Sequence, residues 1–253
     1  MRLYIYTIPK AGTYFLADFF SRIGFNNTGF HVARNFVLNT RKLDLGTNAR
    51  LPEEARENQL FTITLQRMRD GDAAFGHFPL PLLGWTYPDF QHVCAYRHPR
   101  KTLMSEFVDF RFRREDVPWL TRSAVAGDAE AFCTYLERHG PAHMSIFAEM
   151  IGSSLLRNEP LFTRHSPGLY YMLNFDRLLE DPEEAARLAT AFGASASDGR
   201  AAREATLQAE TKTKTTGLDI DRAALWSPRA EELYRQLEAE EYVRRARELG
   251  WDL

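Results

Sequence analysis

The first two dozen residues constrain the fold of this chain more than any other stretch. Leu3 to Ile8 is an unbroken run of β-branched, aromatic and leucine side chains that stops at Pro9. Such a run, short and bounded by a breaker, reads as a buried β-strand. Gly12-Thr13 then opens an apolar segment from Tyr14 to Ile23, of helical length and stopped at Gly24. Strand, tight glycine turn and helix together are the opening of a βαβ unit.

The rest of the chain repeats this alternation. Strands are predicted at Ala73–Phe78 (ending at Pro79), His92–Tyr96 and Leu169–Phe175. A helix starts at Pro99 and runs to about Arg114, and helical periodicity from Asp128 to about Leu156 breaks near Gly140-Pro141. Further helices are predicted from Asp181-Pro182 to Phe192-Gly193, near Gly199–Glu210, and over Pro228–Leu249. Residues 25–60 are polar and weakly periodic, and read as loop with one or two short helices. Alternating strands and helices argue an α/β fold, with a mainly parallel sheet covered on both faces. Ligands of such sheets bind beyond the C-terminal ends of the strands, so those residues carry the functional argument.

Composition narrows the classes of function. At 253 residues, 44% hydrophobic and 26% charged, the chain is neither disordered nor a membrane bundle. A net charge of −2 supplies no global field for nucleic acid or anionic lipid. No apolar run reaches the roughly 18 residues of a membrane span, and no targeting segment is visible. Cys94 and Cys133 lack metal-ligand spacing and read as buried thiols of a cytoplasmic protein.

An anion site must therefore be local. The turn Pro9-Lys10-Ala11-Gly12-Thr13-Tyr14-Phe15 aims free amides and a helix dipole at one point. Lys10 adds charge, Gly12 permits close approach, and Thr13 offers a hydroxyl. The Walker phosphate loop is absent, because here Lys precedes Gly. His77 ends the second strand, where an imidazole can act as general base at neutral pH. Arg97 ends the third strand and Ser105 lies two turns into the following helix, a pair suited to a phosphate monoester. Arg111, Arg113 and Arg114 read instead as charge complementing that helix's C-terminus. Phe175 is expected at the end of a central strand, where a ring can stack on a purine. The stretch Thr211–Gly217, containing Lys212, Lys214 and Gly217, reads as a clamp for a second phosphate. His31, His139 and His143 read as structural.

In this order the motifs resemble those of the sulfotransferases that use 3′-phosphoadenosine 5′-phosphosulfate. Pro9, Lys10, Gly12 and Thr13 match the family's P-K-[ST]-G-T-T-W loop; Ala11, Tyr14 and Phe15 replace its small hydroxyl residue, its second Thr and its Trp. Arg97 and Ser105 stand at the spacing of the 3′-phosphate motif R-[ND]-P-x-[DE]-x-x-x-S, while His98 and Lys101 depart from it. Phe175 to Pro182 is similar to Y-E-D-L-x-x-D-P, and Lys212 to Gly217 loosely to the C-terminal R-K-G loop. The resemblance spans residues 4 to about 240. It implies a single three-layer α/β/α domain over residues 1–253, of P-loop NTPase-like sulfotransferase fold.

The resemblance further implies 3′-phosphoadenosine 5′-phosphosulfate as co-substrate, with no metal expected. His77 would be the base and Lys10 the group stabilising the leaving phosphate. Lys10, Ala11, Gly12, Thr13, Tyr14, Phe15, Arg97, Ser105, Phe175, Lys212, Lys214 and Gly217 would bind the donor. The acceptor would be a hydroxyl of a small molecule or glycan. Its walls are expected in insertions at about 25–60 and 114–165, with Phe30, Phe36, Trp119, Phe132, Tyr135, Arg34, Arg41 and Arg50 as candidates. A nucleotide-dependent kinase and a non-catalytic nucleotide-binding module stay open as alternatives. Against the kinase stand the missing Lys after the loop glycine and the missing acidic magnesium ligand.

Overall fold

β1 (Arg2–Thr7) and α1 (Thr13–Arg22) form the predicted strand, turn and helix. The chain continues through β2 (Asn26–Val32), β3 (Val37–Asn39), β4 (Arg56–Glu57), α2 (Phe61–Gln66), β5 (Asp72–Gly76) and β6 (Phe90–Tyr96). There follow α3 (Pro99–Arg113), α4 (Asp128–Arg138), α5 (Gly140–Arg157) and β7 (Tyr170–Asn174). Five helices close the chain: α6 (Phe175–Glu180), α7 (Pro182–Ala191), α8 (Ala196–Gln208), α9 (Pro228–Gln236) and α10 (Ala239–Glu248). This computed structural model describes residues 1–32, 37–42, 56–57, 61–78, 89–114, 117–157, 170–209 and 220–253.

The seven described strands form one sheet in the order β4-β3-β2-β5-β1-β6-β7. β2, β5, β1, β6 and β7 run parallel, while β3 and β4 add an antiparallel margin. β1 is buried at every position after Arg2, as a strand covered on both faces must be. α1 packs against α8, and α8 against α7, in one helical layer. α3, α4 and α5 pack together in the other, where α9 joins α4 and α10 joins α5. The result is the expected three-layer α/β/α sandwich with a mainly parallel sheet. α1 shows why: Phe15, Leu16, Phe19 and Phe20 recur at helical spacing and are all buried.

Three expectations need correction. The described part of residues 25–60 is mostly strand, not loop and helix. β2 hides this because it is irregular: its pairing with β5 shifts register between Asn27 and His31, and Gly29 has φ 75°. Its polar side chains are spent on sheet neighbours, Asn26 on Asp72 and Thr28 on the Ala73 carbonyl. A bulged strand lacks the clean alternation by which strands are read. Secondly, β7 is the sheet margin and not a central strand, and Phe175 is the first residue of α6. Thirdly, Pro228–Leu249 is two helices, parted at Leu237 and at Glu238, which has φ 53°. Leu237 turns in against Gly140, where an added Cβ would meet it at 2.7 Å, and no glycine or proline signals the break.

Candidate active site

Sheet register brings the critical residues to one edge. Tyr6 pairs with Gly76, so His77 is level with Thr7, and Thr7 also pairs with Ala95, two residues before Arg97. Tyr96 pairs with Asn174, which sets Phe175 level with Arg97. Four segments distant in sequence thus end together beside the first turn of α1.

The loop that joins β1 to α1 is strained and open. Lys10 has φ 66°, a left-handed conformation uncommon in a residue with a Cβ. The Ala11 amide donates to the Ile8 carbonyl at 3.0 Å, so it is spent within the turn and does not face a ligand. Gly12 caps α1 without a side chain, which leaves the first-turn amides uncapped. Its φ is 82°, and a Cβ there would stand 2.0 Å from the Phe175 ring. The close approach expected at Gly12 is therefore made by Phe175, which also meets Phe15 edge-on at 5.6 Å. Lys10 Nζ is buried and makes no hydrogen bond among the described residues. Its ion-pair partner is Asp109 on α3, at 3.6 Å, and Asp109 is in turn bonded by Arg113 at 3.0 Å. Burial lowers the proton affinity of Lys10, and Asp109 opposes that effect.

His77 sits beside this loop with its tautomer defined. Nδ1 lies 2.8 Å from the Thr7 carbonyl oxygen, which can only accept, so Nδ1 carries the hydrogen and Nε2 is the basic nitrogen. Thr7 Oγ1 is 3.2 Å from the same Nδ1 and 2.6 Å from Thr13 Oγ1. The Thr13 hydroxyl is thus tied to β1. Gly76 makes the placement possible, because any Cβ there would fall 2.1 Å from the Val32 carbonyl of β2. On the other side His31 packs against His77 at 4.9 Å between centroids, and the Tyr14 hydroxyl is 3.4 Å from His31 Nδ1. Burial lowers the pKa of His77, with Lys10 and His143 adding to the effect and the Thr7 carbonyl and Glu106 opposing it. Burial and the neighbouring His77 bring His31 down to about 3, and burial raises Tyr14 to about 12. His31, read from sequence as structural, thus packs directly against His77, a contact across the bulged strand that the sequence did not signal.

A second cluster lies at the β6–α3 junction. Arg97 Nε donates to Asp176 at 2.8 Å, and the guanidinium lies 5.8 Å from the Phe175 ring centroid. Lys101 Nζ bonds the other Asp176 oxygen at 2.9 Å, so one carboxylate aligns two cations. Ser105 is buried on α3, and among the described residues none hydrogen-bonds its hydroxyl. Lys212, Lys214 and Gly217 lie outside the described residues, as do Pro79, Arg34, Phe36 and Arg50.

Several side chains read from sequence as surface or wall are neither. Phe132 and Tyr135 are fully buried core, so they do not line an acceptor. Arg111 is a buried tie, bonding Asp128 at 2.8 Å and the Leu120 carbonyl at 2.6 Å, and not a solvated helix-end charge. Glu106 accepts from the Tyr135 hydroxyl at 2.6 Å and from His143 Nδ1 at 2.8 Å, and His143 Nε2 meets Thr102 Oγ1 at 2.8 Å. His139 lies 3.5 Å from the same carboxylate. Reading His139 and His143 as structural agrees with this buried network. Cys94 and Cys133 are buried and are not joined in a disulfide.

No protein-family model matches the chain, and no curated protein matches it in sequence. Its three-dimensional structure is similar to that of a solved mouse sulfotransferase, SULT7A1 complexed with PAP. The TM-score is 0.59 and the identity 13%, over 98% of this chain and 88% of that one. The chain has the sulfotransferase fold. Within that fold, the loop holding Lys10 and the ends of β5 and β6 occupy the sheet edge where α/β proteins bind ligands. Asp109, Asp176 and Lys101 lie beside these residues; sequence reading gave no role to Asp109 or Asp176 and took Lys101 only as a departure from the motif. For Lys101 and Asp109 the signal was the charged spacing along α3, visible only once Lys10 and Asp176 are placed against it.

Proposed function

We propose that this chain is a sulfotransferase that uses 3′-phosphoadenosine 5′-phosphosulfate to sulfate a hydroxyl of a small-molecule or glycan acceptor. One observation carries the reading. A buried lysine nitrogen without a hydrogen bond among the described residues sits in a strained turn at an uncapped helix start, beside a histidine whose Nε2 is the basic nitrogen. A buried cation of this kind, held only by an ion pair at 3.6 Å, is better satisfied by an anion that also accepts its hydrogen bonds. The residues fit the donor at both ends: Lys10 and the first-turn amides for the 5′-phosphosulfate, Arg97 and Ser105 for the 3′-phosphate. Lys212, Lys214 and Gly217 belong to the same proposal as a clamp on the 3′-phosphate. Ala11, Thr13, Tyr14 and Phe15 contribute as the frame of the loop, and Phe175 as the ring beneath it.

When bound, the donor supplies an electrophilic sulfuryl group whose bond to the leaving phosphate oxygen breaks as the acceptor oxygen attacks. His77 takes the acceptor proton on Nε2, while the Thr7 carbonyl holds Nδ1–H and fixes the ring. Lys10 neutralises charge developing on the leaving oxygen in a site screened from water. The acceptor enters from the side of His31 and Tyr14, with residues 25–60 and 114–165 as its walls in a single domain. The two buried cysteines, not joined in a disulfide, support a reducing, cytoplasmic setting.

Melting the protein with 3′,5′-adenosine bisphosphate, ATP and AMP tests the donor class, since a ligand of the native state raises apparent stability. The bisphosphate is expected to give the largest shift, and preference for ATP would sink the reading in favour of a kinase. An acceptor-library screen with labelled donor then reads transfer itself. His77→Ala is expected to lower transfer roughly 10²- to 10⁴-fold while leaving bisphosphate affinity intact. A donor bound but never transferred would favour a nucleotide-binding module.

A further inference from the structure

Asp109 is a carboxylate where the proposed reaction needs an anion of another kind. It projects from the third turn of α3, four residues after Ser105, and places Oδ1 3.6 Å from Lys10 Nζ. That separation is an ion pair but longer than a hydrogen bond, and among the described residues none accepts a hydrogen bond from the ammonium. Both side chains are largely buried, at 12% and 14% exposure, which strengthens their attraction relative to a surface pair. The same Oδ1 accepts from Arg113 Nη1 at 3.0 Å, one turn along the helix. Asp109 thus has a hydrogen-bonded partner of its own and a looser hold on Lys10.

We infer that Asp109 is a positioning residue: it holds Lys10 until the donor arrives, then yields it to the 5′-phosphate and stays neutralised by Arg113. The inference rests on the proposed donor. Leaving a buried carboxylate without a cation would be strongly unfavourable, and Arg113 removes that obstacle to the exchange. Donor affinity is consequently set by a competition. Each phosphate that takes Lys10 must displace a carboxylate already beside it, so Asp109 weakens binding of the donor and of its product alike. The gain is in release, because the leaving nucleotide's phosphate is replaced at Lys10 by an anion the chain itself supplies.

Titrating the full chain with two probes tests this. Adenosine 3′,5′-bisphosphate carries a 5′-phosphate for Lys10, whereas adenosine 3′-monophosphate does not. Asp109→Asn, nearly the same size, is expected to bind the bisphosphate about three- to tenfold more tightly, with the monophosphate unchanged. The KM for the sulfuryl donor should fall in step. Asp109→Glu keeps the competing charge and is expected to show no such gain, and melting curves confirm that both variants fold. Equal tightening of both probes would mean a general charge effect and overturn the inference, as would an unchanged ratio of the two affinities. If the unsubstituted chain binds neither probe, the donor reading itself fails; if it binds both and only the ratio stays fixed, the Asp109 inference fails alone.

Discussion

Gly12 illustrates how one residue serves both backbone and packing. Its φ of 82° suits a residue without Cβ, and the Phe175 ring fills the place where a Cβ would stand. Gly12→Ala is expected to cost roughly 1–3 kcal/mol through overpacking, read as a lower melting temperature, together with weaker bisphosphate binding. Combined with Phe175→Ala the loss should be less than the sum, because the two side chains compete for one volume. His77 makes a prediction in pH. Catalysis needs Nε2 unprotonated, and burial lowers its pKa, so the acid limb of kcat should have its midpoint below the ordinary value of about 6.5. A midpoint above that value would remove His77 as the base.

Among the elements, α3 carries the most. Asp109 meets Lys10, Arg111 ties the helix to Asp128 and the Leu120 carbonyl, and Glu106 anchors it through Tyr135 and His143. Burial tends to raise the Glu106 pKa, but His143 and His139 outweigh it and hold the carboxyl well below its usual range. A depressed carboxylate stabilises the fold above its unfolded pKa, and that contribution is lost as pH falls through the carboxylate range. Glu106→Gln should lower stability at neutral pH by about 1–3 kcal/mol in urea titration, with the difference from the natural chain shrinking below about pH 4.5. The turn into α1 was legible because strand, glycine and helix are contiguous. β2 was not, since its bulge and polar edge contacts erase the alternation that marks a strand. The break between α9 and α10 was hidden as well: Leu237 is drawn in by Gly140, which belongs to another helix.

At the scale of the molecule, the sheet is stocked with histidines held neutral. His31 and His92 are brought down to about 3, chiefly by burial. A histidine depressed on folding contributes stability that is complete above the unfolded value near 6.5 and fades as pH falls toward 3. The melting temperature should therefore decline steadily from pH 7 to pH 4. His92 packs among Tyr4, Phe90 and Tyr170, and His92→Phe should flatten the decline. An unchanged slope would show that His92 is not among the groups responsible.

What the sequence by itself determined is local and periodic. Apolar runs set the central strands, breakers set the turns, and the order of elements sets a parallel sheet whose strand ends must share an edge. That reasoning singled out Lys10, His77 and Arg97, because each lies within a few residues of a strand or helix boundary, and Ser105 by its spacing from Arg97. Only the tertiary structure decided what those side chains face. Asp176 holds Arg97 across 79 residues of chain, Asp109 reaches Lys10 from another element, and His31 joins His77 through a bulged strand. Ion pairs and ring contacts between elements act through space and leave no period in the sequence, so which charge meets which is settled only when the layers close.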